Sequence, residues 1–98
     1  MRPLTSDLDA TDHRPYFLWD EDLSISEFAD RLHGADEADR LRLMAKLLRE
    51  ARDTDVWRFV TPQEVAARLP ALAHRLGRRR GFWEFLIAGW RRLGILTE

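Results

Sequence analysis

Few side chains in this sequence have the type and spacing that catalysis or metal binding requires. The three histidines, His13, His33 and His74, are scattered, and a metal site needs several convergent ligands. Cysteine is absent, which excludes thiolate ligands and a cysteine nucleophile. The sequence also lacks a Gly-rich phosphate loop, a nucleophile elbow and a triad-like set. We therefore expect no catalytic residue, no metal site and no bound cofactor.

The first group with binding chemistry is an aromatic segment followed by three acids. Residues 15–19 are abruptly apolar and aromatic, and the next three residues are acidic. Residues 1–55 carry 14 acids and 8 bases, a net charge of −6, so this half suits a basic partner surface. The candidate partner-binding residues here are Tyr16, Trp19, Asp20, Glu21 and Asp22. Alternatively, Phe17 and Trp19 are core residues, and the acids merely face solvent.

The second charged group is basic and lies in the other half of the chain. Residues 56–98 carry 3 acids and 8 bases, a net charge of +5. The run Arg78, Arg79 and Arg80 stands just before Trp83, and these four residues form a second candidate partner-binding group. The two halves of opposite charge either attract each other within the fold or present an acidic and a basic face to partners.

The same basic run ends a segment that looks like a helix-turn-helix. Residues 61–69 have a capped start and small residues where two helices would touch. Residues 71–80 would then be the recognition segment, with a basic end that could meet phosphates. The intervening turn, Pro70-Ala71-Leu72, lacks the usual glycine. Nucleic-acid binding is thus an alternative, which we do not favour because many acids elsewhere in the chain oppose these bases.

The elements that position these groups are predicted to be helices. Ser24, Asp36 and Thr61 each stand where an N-cap should precede an apolar periodic run, and Pro62 suits a first helical position. Thr54 is predicted to cap a short helix, and Pro70 to interrupt or restart another. No strand signal is convincing. The predicted helices cover about residues 25–32, 37–52, 55–60, 62–69, 71–76 and 78–93.

The last predicted helix, residues 78–93, has an unusually wide apolar side. Its apolar residues span an arc of about 200° at 100° per residue, and they include Trp83 and Trp90. Such a helix is either wedged between other helices or keeps part of its face for a partner. We take it as the central helix, with Trp90 in the core and Gly94 as its stop signal.

These observations predict an all-α fold: a compact bundle of five or six short helices around the hydrophobic C-terminal helix, with an extended aromatic strap at residues 15–19. Residues 1–14 lack periodicity and are predicted to form a flexible N-terminal arm, leaving residues 15–98 as a single helical domain. No apolar run approaches membrane-spanning length. We expect a cytoplasmic protein without membrane contact.

Four segments together are distinctive: residues 15–20, the acidic helix after Asp36, residues 55–62, and residues 82–86 with Trp90. They resemble a family of small bacterial proteins of unassigned function that are encoded beside nucleotidyltransferases of the abortive-infection toxin type. The resemblance covers about residues 15–96. It implies the antitoxin role in a toxin–antitoxin pair, and it implies no particular site residue. Our first hypothesis is that the protein binds and neutralises a nucleotidyltransferase toxin by direct contact. The competing functions are a small helix-turn-helix-like DNA-binding regulator and a structural or adaptor subunit.

Overall fold

The computed structural model describes residues 2–96, which fold mostly into helices. Met1, at the start of the predicted arm, and residues 97–98, at the end of the predicted domain, lie outside this range. Two short strands pair in parallel: β1 (Leu4–Thr5) and β2 (Arg14–Pro15). The helices are α1 (Ile25–Leu32), α2 (Glu37–Glu50), α3 (Asp53–Val56), α4 (Pro62–Leu72) and α5 (Arg80–Arg92). Two 3-10 turns, Ala73–Arg75 and Gly77–Arg79, connect α4 to α5.

The three main helix starts lie where the capping residues predict them. Ser24 and Thr61 each form a complete capping box, in which the N-cap side chain and a glutamate three residues later satisfy each other's backbone N–H groups. The Asp36 side chain accepts the Asp39 N–H. These signals are reliable because the first-turn N–H groups of a helix have no partner inside the helix.

Two local predictions in the middle of the chain are wrong. The short helix α3 begins at Asp53 rather than Asp55, and its N-cap, Arg52, makes no side-chain capping bond. The Arg52 N–H instead donates to the Tyr16 hydroxyl at 2.8 Å, a contact between distant parts of the chain. Pro70 does not interrupt α4, which continues to Leu72. Because proline has no N–H, Pro70 cannot donate to the Ala66 carbonyl one turn earlier. An Arg91 guanidinium nitrogen lies 3.5 Å from that carbonyl oxygen and donates to it in place of the missing N–H.

A pair of threonines tests the importance of capping. We expect Thr61→Ala to lower the free energy of unfolding by about 1 kcal/mol, since a first-turn N–H loses its acceptor. Thr54→Ala is the matched control, because Thr54 is exposed and caps no helix. Urea unfolding followed by circular dichroism measures both. Equal losses in the two variants would mean that the Thr61 capping box contributes nothing.

The mostly helical character is confirmed, but α5 is not the central helix. The buried residues of α2 run without interruption from Leu43 to Leu48, and α2 contacts both α1 and α4. In α5 only Trp83 and Ile87 are buried. Trp90 is half-buried rather than a core residue. The structure therefore organises its core around α2, and α5 packs along one side of it.

The N-terminal segment is packed against the helices. We expected a flexible arm at residues 1–14, but β1 pairs with β2 and Leu8 is buried. The Arg14 side chain is also buried, and its guanidinium donates to backbone carbonyls. These belong to Arg2 at 2.6 Å and to Leu18, Trp19 and Glu21 at 3.3 Å each. The prediction of an extended strap is also wrong, because the chain folds into turns after Pro15. The buried Arg14 side chain joins these turns to the N-terminal segment.

No helix among residues 2–96 combines the length and the apolar character needed to cross a membrane.

Candidate functional site

The acids of the predicted aromatic-acidic surface are paired within the fold. Asp20 accepts from Lys46 at 2.6 Å, Glu21 from Arg42 at 2.8 Å and Asp22 from Arg2 at 3.4 Å. Hydrogen bonding to Lys46 lowers the pKa of Asp20. The three carboxylates therefore offer a basic partner much less net charge than the sequence suggests, although all remain at the surface.

The exposed Trp19 covers one of these ion pairs. Its side chain is 60 % exposed, so the alternative of a core tryptophan is wrong, whereas Phe17 is buried as that alternative had it. The Lys46 ammonium lies 5.2 Å from the centre of the Trp19 ring. Lys46 is buried in the middle of α2. Its charge is neutralised by Asp20, and the Trp19 ring covers the ion pair. Sequence reasoning missed this lysine, although a lone lysine among apolar neighbours was the signal.

Tyr16, the other aromatic residue of that surface, holds two segments of the fold together. Its hydroxyl accepts the Arg52 N–H and donates to Asp55 Oδ2 at 2.6 Å. The Arg52 guanidinium lies 4.9 Å from the centre of the Tyr16 ring. These contacts tie the N-terminal segment to the start of α3, and they give Tyr16 a structural role.

The basic group before α5 is similarly divided between fold and surface. Arg79 donates to the Ala51 carbonyl at 3.3 Å and lies 5.1 Å from the Phe82 ring centre. Arg80 pairs with Glu84 one turn later, at 3.3 Å. Within residues 2–96, Arg78 makes no side-chain hydrogen bond or ion pair, so it is the most available of the three predicted arginines.

Trp83, assigned above to a partner surface, is a core residue. Its side chain is 0 % exposed, and its indole N–H donates to the Leu48 carbonyl at 2.9 Å. The ring meets Trp57 and Phe82 edge-on, at centroid distances of 5.7 and 5.0 Å. A side chain without accessible surface has nothing to offer a partner, so we remove Trp83 from the candidate site.

The helix-turn-helix alternative lacks its second helix. Residues 71–80, the expected recognition segment, contain the end of α4, two 3-10 turns and the first residue of α5. A recognition helix beginning at Ala71 therefore does not form, because α4 runs through the expected turn and is followed by two 3-10 turns, with Gly77 at a φ of +54°.

Among residues 2–96, most of the large apolar side chains that are exposed lie on the outer side of α5 or just past its end. Phe85 and Leu93 are 73 % and 74 % exposed, and Phe82 is also exposed. At 100° per residue these three side chains and Gly89 lie within an arc of about 80°, away from the buried Trp83 and Ile87. We call Phe82, Phe85, Gly89 and Leu93 the α5 stripe.

The end of α5 extends the stripe past the helix. Gly94, with φ of +75°, closes a Schellman motif in which the Ile95 N–H donates to the Trp90 carbonyl at 2.9 Å. Leu96 then folds back and is buried, while Ile95 stays 57 % exposed beside the stripe. The glycine stop was predicted correctly from the sequence.

Positive charge lies near the stripe, although Arg80 and Arg91 line the cleft on another side of α5. Residues 74–92 contain six arginines and one glutamate, a net charge of +5 with His74 neutral. Arg78 precedes the stripe and Arg92 lies near its far end, and neither side chain makes a hydrogen bond or ion pair within the described part of the chain. An apolar stripe with a cationic rim suits a surface that combines apolar groups with acids.

The cleft beside α5 offers little chemistry of its own. It has a volume of about 300 Å³ and lies between α4 and α5, with Leu69, Pro70 and Ile87 among its lining residues. The paired Arg80 and Glu84 also line it. Across residues 2–96, no group of three or more His, Asp and Glu side chains is placed to hold a metal ion.

Comparisons with known proteins add no relationship: no protein-family model, no curated protein and no solved structure matches the chain. The geometry of the candidate site therefore stands on its own, and what it offers is a contact surface on α5.

Several carboxyl groups give stability that acid should remove. The pKa of Asp20 is lowered chiefly by its hydrogen bond to Lys46, and that of Asp39 chiefly by its bond to Arg31. Some carboxyl groups have a lower pKa in the folded state than in the unfolded state, where it is about 4. Such a group stabilises the fold at pH values above its unfolded pKa. This contribution disappears as the pH falls through the folded pKa. At pH values below about 4, we expect the melting temperature to decrease. Asp20→Asn should make the melting temperature less dependent on pH, and Asp30→Asn, at an exposed position, is the control. A wild-type melting temperature that stays constant from pH 5 to 2.5 would contradict this.

Proposed function

We propose that the protein acts by binding another protein through the α5 stripe, without catalysing a reaction itself. Following the sequence resemblance, we propose a nucleotidyltransferase toxin as the partner, bound and restrained by direct contact in the cytoplasm. The observation that carries this proposal is the exposure of Phe85 and Leu93, about three quarters each, on a helix that buries Trp83 and Ile87 against the rest of the fold.

Two features make the α5 stripe a better interface than the aromatic-acidic turn. Interfaces gain most of their affinity from aromatic anchors and arginines that lose water on binding. The stripe offers the aromatic anchors, and Arg78 and Arg92 beside it offer the arginines. At the turn, by contrast, Asp20, Glu21 and Asp22 already have cationic partners, and binding would have to replace those contacts. The α5 stripe belongs to neither of the two candidate groups that the sequence indicated.

Co-expression tests the proposed function directly. The chain would be produced with the nucleotidyltransferase encoded beside its gene, and the mixture separated by size-exclusion chromatography. We expect a stable complex, a large loss of nucleotidyl transfer in vitro, and relief of the growth arrest that the enzyme causes alone. Separate elution with full enzyme activity would rule out direct restraint.

DNA binding is expected to be weak or absent. The arginines near α5 lack a recognition helix to carry them into a groove, and the acids of residues 1–55 repel phosphates. A gel-shift assay with DNA from the gene's own promoter measures this. Sequence-specific binding below 1 µM, weakening steeply with salt, would instead support the DNA-binding regulator.

A further inference from the structure

Gly89 stands in the interior of α5 although nothing among residues 2–96 requires a glycine there. Its φ is not positive, unlike those of Gly77 and Gly94. A Cβ at this position would meet only an Arg92 guanidinium nitrogen, at an ordinary contact distance of 3.8 Å. Glycine favours a helix less than alanine does. The fold would therefore gain from alanine at this position.

The position of Gly89 suggests what requires it. Gly89 lies one turn after Phe85 and one turn before Leu93, in the middle of the α5 stripe. With no side chain of its own at Gly89, the stripe has a notch between two protruding apolar groups, bordered by the Arg92 guanidinium. A glycine at a contact lets another backbone approach closely, as in tightly packed helix pairs.

The charge around the notch indicates the chemistry of the occupant. Six arginines and one glutamate lie in residues 74–92, and Arg78 and Arg92 have no hydrogen-bonding or ionic partner among residues 2–96. A second copy of this chain docking by the same face would bring two arginine-rich rims together, which like-charge repulsion opposes. An occupant with acids beside its apolar face would neutralise Arg78, which precedes the stripe, and Arg92, whose guanidinium lies beside Gly89.

We propose that the α5 stripe binds an amphipathic helix of the partner, whose apolar face packs across Gly89 and whose flanking acids face Arg78 and Arg92. The stripe from Phe82 to Leu93 is about 16 Å long at 1.5 Å per residue, so it matches about three helical turns. In taking this helix to belong to the nucleotidyltransferase, the inference rests on the proposed function.

Two glycines of α5 give a matched test. Gly81→Ala and Gly89→Ala place the same group in the same helix, and neither Cβ meets a close neighbour within the fold. Both variants should melt at or above the wild-type temperature. Calorimetric titration with the neighbouring nucleotidyltransferase should show about tenfold weaker binding for Gly89→Ala and at least hundredfold for Gly89→Leu, because the added groups fill the notch. Gly81→Ala should bind within about twofold of wild type. Equal affinity of the Gly81 and Gly89 variants would overturn the proposal.

The rim has its own kinetic signature. The double variant Arg78→Glu, Arg92→Glu should associate about tenfold more slowly at low salt, with a smaller change in dissociation rate, because rim charges mainly steer encounter. High salt should reduce the difference between wild type and variant. Association rates that are identical at all salt concentrations would contradict an acidic occupant.

Two synthetic helical peptides separate this inference from the proposed function. Both peptides carry the same face of leucine residues. In one peptide this face is flanked by glutamate, and in the other it is flanked by lysine. In a titration followed by NMR, the glutamate peptide should shift the amides of residues 82–93, the lysine peptide should not, and Gly89→Leu should abolish the effect. An enzyme that binds equally to the Gly89 variants overturns the inference alone. A glutamate peptide that binds while the enzyme does not overturns the proposed function alone.

Two further outcomes would assign a different occupant and overturn the inference. One is a dimer of the free protein, seen by light scattering, that Gly89→Leu dissociates. The other is Phe85-dependent binding to phosphatidylglycerol vesicles without binding of either peptide.

Discussion

Replacing Trp83 with alanine is expected to lower the free energy of unfolding by about 3–5 kcal/mol, the largest stability effect of any single change considered. The side chain is fully buried, and it packs edge-on against Trp57 and Phe82. Truncation would leave a cavity in the contact between α5 and the C-terminal end of α2. A domain of this size has a total stability in the lower part of the usual range, about 5–15 kcal/mol. The variant should therefore be largely unfolded at a temperature where the wild type is folded.

The indole N–H contributes to this effect separately from the ring. It donates to the Leu48 carbonyl in the last turn of α2. In a continuing helix that carbonyl would accept the N–H four residues later, that of Arg52, but the Arg52 N–H donates to the Tyr16 hydroxyl. Trp83→Phe keeps most of the apolar volume and leaves this carbonyl without its donor, so it should cost about 1–3 kcal/mol.

Trp90→Ala is the matched control for Trp83→Ala. Trp90 is half-buried and packs against Trp57 from the edge of the core, with a centroid distance of 5.5 Å. Its loss should cost about 1–2 kcal/mol, although the sequence placed it at the centre of the bundle. Guanidinium unfolding measures all three variants. A Trp90 variant less stable than the Trp83 variant would show that the packing of α5 described above is wrong.

The helix starts could be predicted from the sequence because their causes are local. Each capping residue bonds to a backbone N–H within three residues, as Ser24 and Thr61 do. The short helix α3 could not be placed in this way. Its start depends on the Tyr16 hydroxyl, 36 residues away in the chain from the Arg52 N–H that it accepts.

The N-terminal segment could not be predicted because its packing depends on one side chain with distant partners. Arg14 looks like a surface residue in the sequence, yet it is buried and donates to carbonyls on both sides of itself along the chain. Lys46 was hidden for the same reason, since burying its charge requires Asp20, 26 positions away. Burial of a charged group is favourable only with a partner, and the sequence alone does not show which partner is near.

The candidate site was partly visible in the sequence. The apolar arc of the last helix was too wide for a helix packed on one side, which indicated either a central position or a partner face. The choice between them depends on which residues of the helix face the rest of the fold. Trp83 and Ile87 are buried there, so Phe85 and Leu93 are left outside. A helical pattern fixes which residues share a side of a helix, but it does not fix which side the rest of the protein covers.

The double variant Phe85→Ser, Leu93→Ser is expected to weaken binding of the proposed partner, a nucleotidyltransferase, by at least a hundredfold, which corresponds to about 3 kcal/mol. Both side chains are about three quarters exposed, so their loss should change the melting temperature by no more than a few degrees. They are the two most exposed apolar groups of the stripe, and buried aromatic and aliphatic anchors supply most of the free energy at an interface. Pull-down followed by calorimetric titration measures the effect.

Trp19→Ala is the control that decides between the α5 stripe and the aromatic-acidic turn predicted from the sequence. Trp19 is also a large exposed side chain, and truncating it removes the lid over the Lys46–Asp20 pair while leaving that ion pair in place. We expect this variant to bind within about twofold of wild type. Charge reversal of Asp20, Glu21 and Asp22 would be a poorer control, because it places like charges against Lys46, Arg42 and Arg2 and would destabilise the fold. If Trp19→Ala abolishes binding while the double variant binds normally, the partner contacts the aromatic-acidic turn, and the α5 stripe needs another explanation.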